Sequence, residues 1–339
     1  MTLTEFKVTR TSPVAKAAAI FGAIALLLLI AGPLWAGRAD MRLLSELFLY
    51  LALASLWNLM AGYAGLVSVG QQAYVGFGGY MLFALTIFGD LHPVVAIGVA
   101  GLLGAAISIP VAMLIFRLRG AYFAIGTWVM AEVFRLSFAQ VSSLGGGSGT
   151  SLPVDIVKSL ASSRSGREHL SYWLALGTAV IVIAAIYLFL RSRNGLALAA
   201  IRDNELAAGS LGIDIWRTKL VVYIVTAALT SMVGALIFLQ KLRISPDAAF
   251  SVNDWTAFVI FIVVIGGIGT IEGPIIGTLV FFALRETLAD LGTIYLMVLG
   301  VVAIVIMLKA PNGIWGLIKS RYDVQLFPIS FRVQRNSDT

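Results

Sequence analysis

The chain of 339 residues is 59% hydrophobic and only 12% charged, with a net charge of +7 and no cysteine. A soluble domain carries about a quarter charged residues, so this composition excludes a string of soluble domains, and the missing thiols exclude disulfides, thiolate metal sites and cysteine nucleophiles. Among so many apolar runs near twenty residues, the basic excess reads as Lys and Arg held on the inner side of a membrane, with nucleic acid excluded as a partner and membrane lipid implied.

In chain order the apolar runs predict an all-α polytopic membrane protein of about ten transmembrane helices. The first covers 15–36, the second 43–61, the third 69–89, the fourth 94–116 and the fifth 121–141. The sixth covers 171–190, the seventh 219–240, the eighth 255–268, the ninth 274–289 and the tenth 293–309. The first run stays apolar from Ala17 to Ala36, longer than the ~7–15 residues of a signal-peptide core, so it reads as a span. With both termini inside, inside segments hold fifteen Lys and Arg and outside segments seven, which favours that orientation. The chain then divides into an inner N-terminal segment (1–14), a membrane domain (15–318) and an inner tail (319–339). The stretch 142–170, rich in Ser and Gly, is an outside loop; the stretch 191–219 is an inside one.

Two spans are interrupted by glycine. "AGYAGLVSVGQQAYVGFGGY" (61–80) and "GGIGTIEGPIIG" (266–277) predict broken or re-entrant backbone, which survives at membrane depth only where protein or water satisfies its polar groups. Adjacent amides at Gln71 and Gln72 cannot both face lipid cheaply. Asn58, Ser68, Gln71, Gln72 and Gly267 are therefore the residues expected to line or gate a translocation path. Helices 2–5 and 7–10 can form two inverted halves, although the sequence carries no clear internal repeat.

Ionisable residues are sparse in the spans. Glu132 and Arg135, three apart, share a helix face; Glu286 and Asp290 lie near the end of the ninth helix with Arg285. His92 and His169 fall in loops without ligand spacing. No metal site, catalytic constellation or G-x-x-x-x-G-K-[ST] phosphate loop is present, so the chain is not expected to be an enzyme or to hydrolyse ATP.

Eight charged residues from Arg191 to Lys219 form an island between two apolar runs. Asp203 and Asn204 are good N-caps, the residues from Glu205 to Leu211 can form about two helical turns, and Gly212 is placed to end them. A helix this short is marginal alone and needs a partner to pack on; a groove on another protein would serve.

"AIRDNELAAGSLGI" (200–213) resembles the coupling segment of permeases in the high-affinity branched-chain amino acid importers, an ATP-binding-cassette family. "LWNLMAGYAGLVSVGQQAYVGFGGY", "LRGAYFAIGT", "VVIGGIGTIEGPIIGTL" and "APNGIWGLI" agree with that family in order and spacing from about residue 43 to 318. The resemblance, strongest to the second permease of the pair, implies a bacterial cytoplasmic (inner) membrane and both termini in the cytoplasm. It implies a second permease subunit, two cytoplasmic ATPases that bind the ATP and Mg this chain does not, and an extracytoplasmic substrate-binding protein. Arg202, Asp203, Asn204, Glu205, Ala208 and Gly212 would then couple the path to the ATPases. Gln71, Gly79 and Gly145 stand where the family commonly has His, Ala and Thr, and relatives carry leucine-type and other amino acids, urea or short amides; monosaccharide permeases share the broad fold. An ion-coupled secondary transporter is the other class, and it would call on Glu132 as the deep acidic residue.

Overall fold

The computed structural model describes residues 6–9, 13–161, 163–288, 294–322, 326–328 and 332–335. Asp290, the junction of the predicted ninth and tenth helices, and parts of both terminal segments lie outside the described residues.

The chain enters through strand β1 (Phe6–Thr9) and helix α1 (Pro13–Ile30), followed by one turn, α2 (Gly32–Trp35). The predicted first span is thus split, with Pro33 at the start of the second piece, where a missing N–H costs nothing. Helix α3 (Arg38–Asn58) ends in a π-turn over Leu59–Tyr63, and α4 (Gln71–Ile87), α5 (Pro93–Ile115) and α6 (Ala121–Ala139) follow. The outside loop expected at 142–170 holds short strand β2 (Thr150–Ser151), helix α7 (Val154–Leu160) and the first turns of α8 (Arg164–Arg191). Helix α8 starts earlier than hydropathy suggests because Ser163 caps it, accepting from Gly166 N at 3.0 Å. Arg42 also donates to Glu168 at 2.8 Å, which neutralises the polar first turns.

The charged island is two short helices, α9 (Arg193–Asp203) and α10 (Glu205–Ser210), leading to α11 (Ile215–Lys241). Strand β3 (Arg243–Ile244), α12 (Pro246–Ala249) and a π-turn over Asn253–Ala257 lead into α13 (Phe258–Gly266); α14 (Glu272–Thr287), α15 (Ile294–Lys309), α16 (Gly313–Tyr322) and β4 (Arg332–Arg335) complete it. Among the described residues, six stretches are long and apolar enough to cross a membrane: Arg38–Tyr63, Pro93–Ile115, Arg164–Arg191, Ile215–Lys241, Pro246–Gly266 and Met297–Arg321. Their outward faces carry apolar side chains such as Leu102, Ile181 and Met297, which are exposed and have lipid as their natural solvent.

Helix α11 is the hub. It packs along α4 and α5, while α3 packs on α8 and α13 on α14. The α4–α11 crossing is close because both sides are bare: a Cβ at Gly78 would run into the Ser231 carbonyl, and one at Gly234 into the Val75 carbonyl. Two antiparallel ribbons close the fold. Phe6 to Thr9 pair with Arg335 to Arg332, which sets the two terminal segments side by side, and Thr150 pairs with Ile244.

Candidate functional site

The glycine stretches meet. Helix α3 delivers Asn58 at the point where its backbone loosens into the π-turn, and the side chain reaches across to the second break. Its Nδ2 donates to Thr270 O at 2.7 Å and its Oδ1 accepts from Gly269 N at 2.8 Å. One amide thus serves both polarities of a half-buried, non-helical backbone, which would otherwise hold an unmatched donor and acceptor.

The break itself is built by Gly267, which ends α13 at φ 131°, a conformation closed to most L residues. Thr270 then caps the return: its Oγ1 donates to Gly267 O at 2.9 Å and accepts from Gly273 N at 3.1 Å. A Cβ on Gly313, at the start of α16, would collide with the Gly267 backbone, so the C-terminal helix sits directly on the break.

Ser68, Gln71 and Gln72 are all buried. Residues 64–70 are not helical, and α4 begins at Gln71. Ser68 Oγ accepts from Gly70 N at 3.1 Å, and Ser68 O accepts from Trp57 Nε1 at 2.8 Å. Gln71 Nε2 donates to Leu53 O at 3.0 Å, while its Oε1 has no hydrogen-bond partner. Gln72 Oε1 accepts from Thr256 Oγ1, which ties α4 to the start of α13. Thr127 Oγ1 of α6 accepts from Val69 N at 3.0 Å. Each predicted path residue therefore lies at the joint between two elements.

The coupling group has a different character. Asn204 is the N-cap of α10, its Oδ1 accepting from Ala207 N at 3.0 Å. Gly212 follows the helix at φ 84° with open space around it. Glu205 accepts from Lys219 Nζ at 3.1 Å, which fastens α10 to the second turn of α11. Ala208 is the one buried residue of α10, the rest of which is exposed; Leu206 is 87% exposed and the adjoining Leu211 80%. Asp203 is exposed at the end of α9, with Arg202 Nε 3.9 Å away.

Arg202 joins the two groups. It lines a cavity of about 220 Å³ together with Tyr63, Gly269, Thr270 and Glu272. The segment that stands out into solvent and the glycine break clamped by Asn58 are thus one residue apart.

Sequence reasoning missed Glu272 and the threonines. Glu272 is buried at the start of α14, where a helix N-terminus favours an anion, and its Oε1 accepts from Leu326 N at 3.1 Å and Phe327 N at 3.0 Å. It lay inside the quoted glycine stretch, and a lone acid among apolar residues was the available signal. Glu132 and Arg135 do pair as expected, and Arg135 also binds Asp247 at 2.9 Å. No group of three or more His, Asp or Glu able to hold a metal occurs among the described residues.

The family profile described as branched-chain amino acid transport system / permease component matches residues 41–308. The chain is 27% identical over 311 residues to the high-affinity branched-chain amino acid transport system permease protein LivM of Escherichia coli, covering 85% of this chain and 73% of that one. It is 24% identical over 274 residues to the probable LivM permease of Methanocaldococcus jannaschii, covering 71% and 78%. To the probable LivH permease of the same organism it is 27% identical over 150 residues, 41% of this chain and 46% of that one. No solved structure matches.

Proposed function

Because the chain belongs to the family of branched-chain amino acid transport permease components, we propose that it forms half of the membrane pathway of an ATP-driven importer for branched-chain or related amino acids. The other half is a second permease, a reading supported by the similarity to both LivM and LivH relatives. Two ATPases on the cytoplasmic side bind ATP and Mg, and a binding protein delivers cargo outside. The path crosses the bacterial cytoplasmic membrane ten times, through α1, α3, α4, α5, α6, α8, α11, α13, α14 and α15. Both termini, α9 and α10 lie in the cytoplasm. Helices α3–α6 and α11–α15 are two inverted halves, joined where Gln72 of α4 meets Thr256 at the head of α13.

One observation carries this reading: a capped, two-turn helix with Leu206 and Leu211 exposed adjoins Arg202, which lies against the glycine break that Asn58 clamps. An ATPase groove that seats Leu206 and Leu211 and shifts α10 pulls on Arg202. That residue lies against Gly269 and Thr270, whose geometry holds α3 and α13 together. Nucleotide-driven motion thereby reaches the break without any chemistry in this chain.

The test is uptake of radiolabelled leucine by cells expressing the complete set of subunits, with ATP hydrolysis followed in parallel on the purified complex. Gly212→Ala imposes a left-handed strain of about 1–2 kcal/mol on one residue of a surface turn. It is expected to leave the folded complex and its ATPase activity in place while uptake falls. Equal loss of ATPase activity and uptake, or leucine uptake by this chain alone under an ion gradient, overturns the reading.

A further inference from the structure

Helix α11 runs 27 residues, about 40 Å at the α-helical rise, so its far end lies on the face opposite α10. There the first turns of α3 and α8 and the last turn of α11 surround a second cavity, of about 750 Å³. Its walls carry four cations, Arg42, Arg164, Arg167 and Lys241, against two acids, Glu46 and Glu168. Both acids are already engaged. Glu168 is shared by Arg42 at 2.8 Å, Arg164 at 3.5 Å and Arg38 at 3.6 Å. Glu46 is held at both oxygens by Arg285, at 2.8 and 2.7 Å. Lys241 has no ion-pair partner among the described residues. Its ammonium instead lies over Trp255, 4.6 Å from the ring centroid, a geometry that holds the charge in place and leaves its other side open. Leu49, Ile237 and Leu239 give the same cavity an apolar wall.

We propose that this cavity is an entry vestibule for the cargo, in which Lys241 receives the carboxylate of an amino acid and the leucine and isoleucine wall receives its aliphatic side chain. The inference rests on the importer reading for what the ligand is; the carboxylate-binding character of the cavity follows from its own charges. A surplus of unpartnered positive charge between low-dielectric walls raises the local concentration of anions by about tenfold or more.

The chain has no cysteine, so Ser171→Cys places a single thiol in the cavity wall. Its modification by an anionic and by a cationic methanethiosulfonate reagent is measured on the assembled complex in nanodiscs, where both faces are open. The anionic reagent is expected to react about tenfold faster. Lys241→Gln should bring the two rates together, and Lys241→Arg should keep them apart. Leucine and 4-methylpentanoate should slow modification, and isoamylamine should not. Equal rates for both reagents, a bias untouched by Lys241→Gln, or protection by the amine as strong as by the acid, overturns the vestibule. Failure of the importer reading looks different: charge bias and carboxylate protection persist, while cells carrying all subunits take up no amino acid. The converse, normal leucine uptake in Lys241→Gln cells with no protection, removes the vestibule and leaves the importer.

Discussion

Asn58 is where one side chain decides most. Its two bonds, at 2.7 and 2.8 Å, go to adjacent residues of the opposite break, so neither Asp, which only accepts, nor Leu, which does neither, can replace it. Asn58→Ala leaves the Gly269 N–H and the Thr270 C=O without partners, at about 1–3 kcal/mol for each orphaned group. The expected outcome is a clear drop in the thermal midpoint of the detergent-solubilised protein, with uptake lost. Asn58→Asp is expected to fall between Ala and the natural residue, because it keeps the bond from Gly269. An unchanged midpoint for Asn58→Ala would mean that the break does not depend on the clamp. Arg202 sits one step further along, and its effect is expected on coupling more than on folding.

At the level of elements, the α4–α11 crossing sets the spacing of the hub. Gly78→Ala pushes a methyl into the Ser231 carbonyl, where backbone on both sides cannot yield cheaply. Gly98→Ala, in α5, meets nothing within 4 Å and trades a flexible residue for a better helix former. Fluorescence-detected size exclusion should show Gly78→Ala depleted or aggregated and Gly98→Ala normal; equal behaviour would argue against the crossing. Much of this layer was legible beforehand, because an apolar run of twenty residues and a cluster of glycines are local signals. The capped helix at Asn204 and its glycine stop were legible for the same reason. What escaped was non-local or amphiphilic. Helix α7 and the early start of α8 are polar, and their order comes from Ser163 and from arginines in α3 more than a hundred residues away. Glu46 and Arg285 find each other across 239 positions. The partners of Gln72 and Asn58 lie 184 and 212 positions off, so the sequence could mark these amides as costly in lipid without saying what relieves the cost.

For the whole molecule, the pairing of β1 with β4 sets the two terminal segments side by side, an arrangement that fits the proposed topology, in which both termini share a face and the crossings between them are even in number. Ten crossings satisfy that condition. Single cysteines at Ser210 and Ser148, both in exposed positions, test the arrangement with an impermeant maleimide. In sealed cells Ser148→Cys is expected to react from outside, and Ser210→Cys only after the membrane is opened. Reaction of both from the same side breaks the single crossing, through α8, that separates them. The ribbon also has a temporal consequence. At about 5–20 residues per second, the strand made first waits on the order of half a minute for Arg332 to leave the ribosome. Throughout that interval its edge is unpaired, and a truncated product keeps it so, a standing invitation to join with a neighbouring chain.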